Sequence, residues 1–153
     1  MPKPVTLDAF DRKLLGLVAR DNLAPARLLA DKVGLSESAV LRRLKRLRAG
    51  GVIAADVSIV APEALGLGLT MHVLVTMERE GSAVLDAFAR KISARAEVVD
   101  AWYVTGDSDF VLLVRVGSMA DYERFTRETL NDEPNVRSFK TLIAIRQVVE
   151  ARR

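Results

Sequence analysis

Residues Gly34 to Arg48, GLSESAVLRRLKRLR, place five basic residues in seven positions: Arg42, Arg43, Lys45, Arg46 and Arg48. At about 100° per residue, Val40, Leu44 and Leu47 form one inward stripe, and Ser38, Arg42, Lys45 and Arg46 lie opposite. A cationic ridge of this kind suits DNA. Lysine and arginine neutralise phosphates, and arginine also forks onto guanine edges. Taken alone, a basic helix is as often merely a solvated face, so the flanking residues decide. Pro25 to Val33, PARLLADKV, reads as a second short helix, with Leu28, Leu29 and Val33 inward. Pro25 suits its first helical position, which makes Ala24 the N-cap. Gly34 suits the left-handed position that ends this helix, and Ser36 the N-cap of the next. Two short helices around a glycine turn, the second basic, form the helix-turn-helix pattern. The DNA-contacting candidates are therefore Ser36, Ser38, Arg42, Lys45 and Arg46.

Composition bounds the rest. The chain has 153 residues, half of them hydrophobic, enough to bury a core. It has no cysteine, which removes disulfides, thiolate metal sites and cysteine nucleophiles and fits a cytoplasmic protein. No apolar run approaches the ~20 residues of a membrane span. The opening MPKPVTLDAF has no apolar h-region, so no signal peptide is expected. Charge is unevenly placed. Residues 1–60 carry 11 Lys+Arg against 6 Asp+Glu, and residues 61–153 carry 12 against 14. A basic first part and a slightly acidic remainder argue for two parts with different partners.

Along the chain, residues 1–6 read as a short arm that includes Lys3. A first helix begins at Asp8 as N-cap, with Asp11 at N3. Leu7, Phe10, Leu14 and Leu17 form its core face, and it runs to about Asp21. After Gly50-Gly51 the period changes. Ile53, Ala55, Val57 and Ile59 alternate with Ala54, Asp56, Ser58 and Val60, which predicts a strand. APEALGLG, residues 61–68, is the candidate linker. The second part reads strand, helix, strand, strand, helix, strand. The strands are Leu69–Glu78, Glu97–Thr105, Phe110–Val116 and Val136–Val149. Ser82 caps a helix with Leu85, Phe88, Ala89 and Ile92 inward. Ser118, paired with Asp121, caps another with Met119, Tyr122, Phe125 and Thr129 inward. The order βαββαβ is the ferredoxin-like arrangement. The fold class is thus α+β: a helix-turn-helix domain over residues 1–60 (motif about 25–48), a linker at 61–68 and a ferredoxin-like sandwich over 69–153. FVLLVRV is apolar on both sides, which predicts a second copy packed on the open sheet face.

The whole chain resembles the Lrp/AsnC, or feast/famine, family of transcriptional regulators. The blocks that carry the likeness are LDAFDRKLL, LADKVGLSESAVLRRLKRLRAGGVI, PEALGLGL, VTGDSDFVLLVRV and LIAIRQVV, in that order and spacing. The resemblance implies a cytoplasmic regulator that binds double-stranded DNA. It also implies a homodimer that assembles into tetramers or octamers, with a site for an amino-acid effector in the second domain. It adds Arg43 as the characteristic arginine of the recognition helix. It places the effector loop on Gly106, Asp107 and Asp109, and a polar residue of the last strand near the effector at Thr141. Two positions depart from the family pattern: Phe139 stands where relatives often have Ser or Thr, and Ala24 stands where they have a capping Ser or Thr.

The hairpin Thr105-Gly106-Asp107-Ser108-Asp109 has chemistry of its own. An amino-acid ammonium wants a carboxylate, and its carboxylate wants backbone N–H donors in an open turn. On the residues alone an ordinary hairpin turn is the stronger reading; the resemblance favours the ligand loop. Trp102 and Tyr103 point to opposite faces of their strand. His72, the one histidine, has no cysteine or histidine partner, and an interface position suits it better than a metal. Neither a metal nor a cofactor is expected. No nucleophile–base pair or phosphate loop stands out, and an enzyme of the tetrapyrrole-decarboxylase kind, similar to this family in fold, would need a cationic histidine site. The expected function is a sequence-specific regulator modulated by an amino acid or related small molecule. The alternative is an architectural DNA-wrapping protein with little sequence preference.

Overall fold

The computed structural model describes residues 6–79 and 81–149; the arm with Lys3 lies outside them. It divides into two compact units, one holding the helices up to Ile59 and one running from Val60 to Val148.

The helical unit contains α1 (Ala9–Val18), α2 (Ala26–Val33) and α3 (Glu37–Ala49). Asp8 and Asp11 start α1 as a reciprocal capping box: the Asp11 amide donates to the Asp8 carboxylate at 2.8 Å and the Asp8 amide to the Asp11 carboxylate at 3.1 Å. Gly34 ends α2 at φ +74°, a conformation costly for a residue with a Cβ, and its N–H donates to the Ala30 carbonyl at 2.8 Å. Ser36 caps α3 by accepting from the Ala39 amide. Leu14, Leu29, Ala30, Val33, Val40 and Leu44 form the core of this unit.

Several local expectations change here. α1 stops at Val18, short of Asp21. Of its four expected core residues only Leu14 is buried. Phe10 is 41% exposed because it lies at the edge of the apolar face, where its ring supports Arg43. Pro25 is the N-cap of α2 in place of Ala24, with extended ψ and no side-chain cap. Leu28 is exposed; at helical spacing Leu29 and Ala30 share the inward face with Val33, and Leu28 does not. Ile53–Val60 is not a strand: no other segment among the described residues pairs with it, and Val57, Ile59 and Val60 stay exposed.

The sheet unit contains β1 (Leu69–Met77), α4 (Ser82–Ser93), β2 (Val98–Tyr103), β3 (Phe110–Val116), α5 (Met119–Thr126) and β4 (Val136–Ile143). A single π-helical turn, Arg127–Asn131, continues α5. The strands form one antiparallel sheet in the order β2-β3-β1-β4, as the ferredoxin-like pattern requires. Alternation sorts the side chains. Met71, Val73, Val75, Phe110, Leu112 and Val114 pack beneath Phe88, Ile92, Tyr122 and Phe125. The opposite face carries Leu74, Val111 and Leu113, half-buried, beside exposed His72, Trp102 and Leu142. Gly81, not Ser82, occupies the N-cap of α4, without a side-chain bond. Met119 is 53% exposed, one turn too early to reach the sheet. β4 ends at Ile143, where pairing with β1 runs out, so the expected strand to Val149 is shorter.

Residues 61–68, expected as a linker, fall within the sheet unit and are ordered locally. Pro62–Leu65 forms a 3₁₀ turn that ends at Gly66 with φ +72°. A Cβ on Gly117 would stand 2.8 Å from the Gly66 carbonyl oxygen, a backbone atom with little room to move. Gly117→Ala is therefore expected to destabilise the sheet unit by about 1–3 kcal/mol, seen as a lower urea midpoint at an unchanged m-value. A parental midpoint would show that the two turns separate freely.

Candidate functional site

The outward face of α3 is less basic than its sequence. Arg43 Nη1 donates to Asp8 Oδ2 at 2.7 Å and to Asp11 Oδ1 at 2.8 Å, and its guanidinium lies 5.5 Å from the centre of the Phe10 ring. Arg46 Nη2 donates to the other Asp11 oxygen. Arg48 forks onto Asp56, with Nε to Oδ2 at 2.7 Å and Nη2 to Oδ1 at 3.3 Å. Three of the five cations thus have carboxylate partners within the helical unit. Arg42 and Lys45 are exposed and form no ion pair among the described residues.

Asp11 is the centre of this arrangement, with 1% of its surface exposed. Burial pushes its carboxyl up, but the bonds from Arg43, the Asp8 amide and Arg46 outweigh that and hold it below the usual carboxylate range. Asp8 is lowered by the Asp11 amide first and by Arg43 second, and Arg43 is raised by Asp8 and then Asp11. Arg48 is raised and Asp56 lowered, each chiefly by their mutual hydrogen bonds. In the sequence, Asp8 and Asp11 read as a helix cap only. One signal was present: on the wheel Arg43 lies about 60° from Val40, flanking the core stripe and not opposite it. Ser36 has its hydroxyl engaged in the cap and 3.1 Å from that of Ser38. The basic helix thus presents Ser38, Arg42 and Lys45 outward, with Arg43 and Arg46 turned toward α1.

The hairpin between β2 and β3 is pinned at its base. The Val104 amide donates to the Asp109 carbonyl at 2.8 Å and the Asp109 amide to Val75 at 2.9 Å. The Asp109 carboxylate accepts from the Met77 amide at 2.7 Å, at the bulge where the β1–β4 register shifts. Asp109 therefore holds the sheet. At the tip, Gly106 has φ +128°, open to glycine and strained for other residues, and the Thr76 hydroxyl donates to the Asp107 carbonyl at 3.2 Å. Asp107 is exposed. Thr141 is not part of this loop. It pairs with Val73 on the helix-covered face, and its hydroxyl is bonded to that of Tyr122. Burial pushes the Tyr122 hydroxyl up, and the bond to Thr141 opposes it. Of the four effector candidates, Gly106, Asp107 and Asp109 share one hairpin and Thr141 stands apart. Among the described residues no cluster of histidine, cysteine, aspartate or glutamate is placed to hold a metal ion.

Two family models match the chain: an AsnC-type helix-turn-helix domain over residues 7–48 and an Lrp/AsnC ligand binding domain over residues 70–153. An HTH-type transcriptional regulator of Sinorhizobium fredii is 46% identical over 142 residues, which cover 93% of this chain and 84% of that protein. The DNA-binding transcriptional activator DecR of Escherichia coli is 32% identical over 142 residues, covering 93% of each. Among solved structures, a transcriptional regulator of Neisseria meningitidis in complex with L-Met superposes with a TM-score of 0.87 at 26% identity, covering 95% of this chain and 94% of that one.

Proposed function

The chain belongs to the Lrp/AsnC family of transcriptional regulators, and on that premise we propose that it reads a preferred DNA sequence as a homodimer whose binding or assembly an amino acid or related small molecule modulates. The observation that carries the DNA half is the outward pair Arg42 and Lys45, exposed and, among the described residues, without carboxylate partners, beside Ser38. Each can engage phosphate, and Arg42 can also fork onto a base edge. For the ligand half, support comes from the exposed Asp107 beside Gly106 at the hairpin tip, and from the likeness to a protein solved with L-Met. Subunit pairing is supported by the apolar open sheet face with Leu74, Val111, Leu113 and Trp102. Further assembly to tetramers or octamers is the family's habit and belongs to the same proposal. No helix among the described residues is long and apolar enough to cross a membrane, which fits action on DNA in the cytoplasm.

Domain use follows the same reading: residues 1–60 contact DNA, 61–68 connect, and 69–153 bind the effector and pair the subunits. The test is a gel-shift titration at two salt concentrations with the parent and Arg42→Ala. A preferred duplex selected from a random pool is expected to bind the parent far more tightly than unrelated DNA. Arg42→Ala is expected to lose about 1–3 kcal/mol on the preferred duplex and to relax its sequence preference. Equal parental affinity for selected and unrelated DNA would instead make the protein an architectural DNA-wrapping one. Thermal-shift screening of the twenty amino acids identifies the effector, since a ligand of the folded state raises its apparent stability.

A further inference from the structure

α3 carries more positive charge than it offers to a partner. Arg43 is bracketed by two carboxylates, and Arg46, although it lies toward the outer side of the helix, is turned back to buried Asp11. We propose that Asp11 is a positioning residue that withholds Arg46, and with Asp8 also Arg43, from DNA phosphates. The helix then approaches DNA with Arg42 and Lys45 and discriminates between sequences instead of adhering to any duplex. This rests on the reading that α3 is the DNA-contacting helix.

The physical case is one of competing anions. Each cation that neutralises a phosphate strengthens binding to every sequence and steepens the salt dependence by about 0.9 in log K against log salt. Sequence discrimination comes from base edges instead. For Arg46 to reach a phosphate it would have to leave a charge-assisted bond to Asp11, a carboxylate with 1% exposure. That would strip the buried anion of one of its two arginines, and buried anions tolerate such loss poorly. Arg43 is held more firmly still, with Asp8, Asp11 and the Phe10 ring around it. The internal carboxylates thus lower the non-specific background against which Arg42 is read.

The experiment uses the full chain and fluorescence anisotropy on a mixed-sequence duplex over a range of salt. Asp11→Asn keeps an oxygen for the Asp8 amide, so the cap of α1 survives while the charge is lost. It is expected to steepen the salt slope by about 0.9 and to tighten non-specific binding several-fold at low salt. Arg46→Gln alone, which leaves Asp11 its bond to Arg43, is expected to keep the parental slope. Arg46→Gln in the Asp11→Asn background is expected to cancel the gain. A purely structural role for Asp11 predicts weaker binding to all DNA, the opposite sign. The proposal is overturned by an unchanged slope in a folded Asp11→Asn protein, or by a slope flattened by about 0.9 in Arg46→Gln. If Asp11→Asn does not fold, the slope of Arg46→Gln decides. A parent that binds no duplex at any salt overturns the reading of α3, and the proposal with it. A parent that binds while Arg46→Gln flattens its slope overturns the proposal alone.

Discussion

Leu14→Ala is expected to abolish DNA binding while the sheet unit stays folded. Leu14 is fully buried and packs in one cluster with Leu29, Ala30, Val33, Val40 and Leu44, residues from all three helices. Truncating a buried leucine costs about 2–5 kcal/mol, the transfer of its methyl groups plus the cavity left behind. A helical unit this small buries too little surface to absorb that loss, and neither α2 nor α3 is long enough to persist by itself in water. Native-state hydrogen exchange reads the two units separately. Amides of Leu29–Val33 and Val40–Leu47 should lose protection, and those of Met71–Val75 and Leu112–Val114 should keep it. Retained protection in α3 would show that the three helices hold together without their central side chain.

The second large effect falls on the ligand. Asp107→Ala is expected to eliminate the stabilisation given by the effective amino acid and its influence on DNA, while ligand-free DNA affinity stays within a few-fold of the parent. Asp107 is the exposed carboxylate at the hairpin tip, and its backbone carbonyl is tied to Thr76, so the side chain is presented and the loop is braced. An ammonium group needs such an anion. A hairpin tip encloses little by itself, so the ligand is expected between subunits, where its differential affinity for one assembly shifts the population toward it. Calorimetry decides: unchanged amino-acid affinity in Asp107→Ala would assign the ligand to a different loop. Asp109→Ala is not an equivalent probe, because its carboxylate holds the Met77 amide.

The features legible in the sequence were those with local causes. The Val40, Leu44 and Leu47 stripe, the Ser36 cap and the left-handed Gly34 each depend on neighbours within about one helical turn, and all are present. The alternation in Phe110–Val116 likewise reports its two faces directly. What was missed depends on distant residues. Arg46 reads as part of the outward basic face, and Arg43 as a DNA-contacting arginine by resemblance, because their partners, Asp8 and Asp11, lie more than thirty positions away. Ile53–Val60 has the alternation of a strand, but a strand also needs a partner, which a pattern cannot supply. The position of Thr141 on the helix-covered face follows from its register opposite Val73, a pairing that the order of elements does not specify. Phe10 sits at the edge of its apolar face, Leu28 lies about 100° from Leu29 on the wheel, and Met119 stands in the first turn of α5, so apolar character at helical spacing does not by itself bury them.

The sheet order also sets a timetable for synthesis. β1, the first strand to leave the ribosome, is central, and its outer neighbour β4 is the last to be made: Met71 pairs with Ile143 and Met77 with Val136. The three helices are complete in sequence before β1 begins, and their mutual contacts are short-range, so they can fold early. β1 by contrast waits through most of translation with one edge open, its Met71, Val73 and Val75 ready to pair with any extended chain nearby. Nascent chains on neighbouring ribosomes, copies of this same sequence, are the nearest such partners. The vulnerable moment in this protein's life therefore falls between the emergence of Met77 and that of Val136.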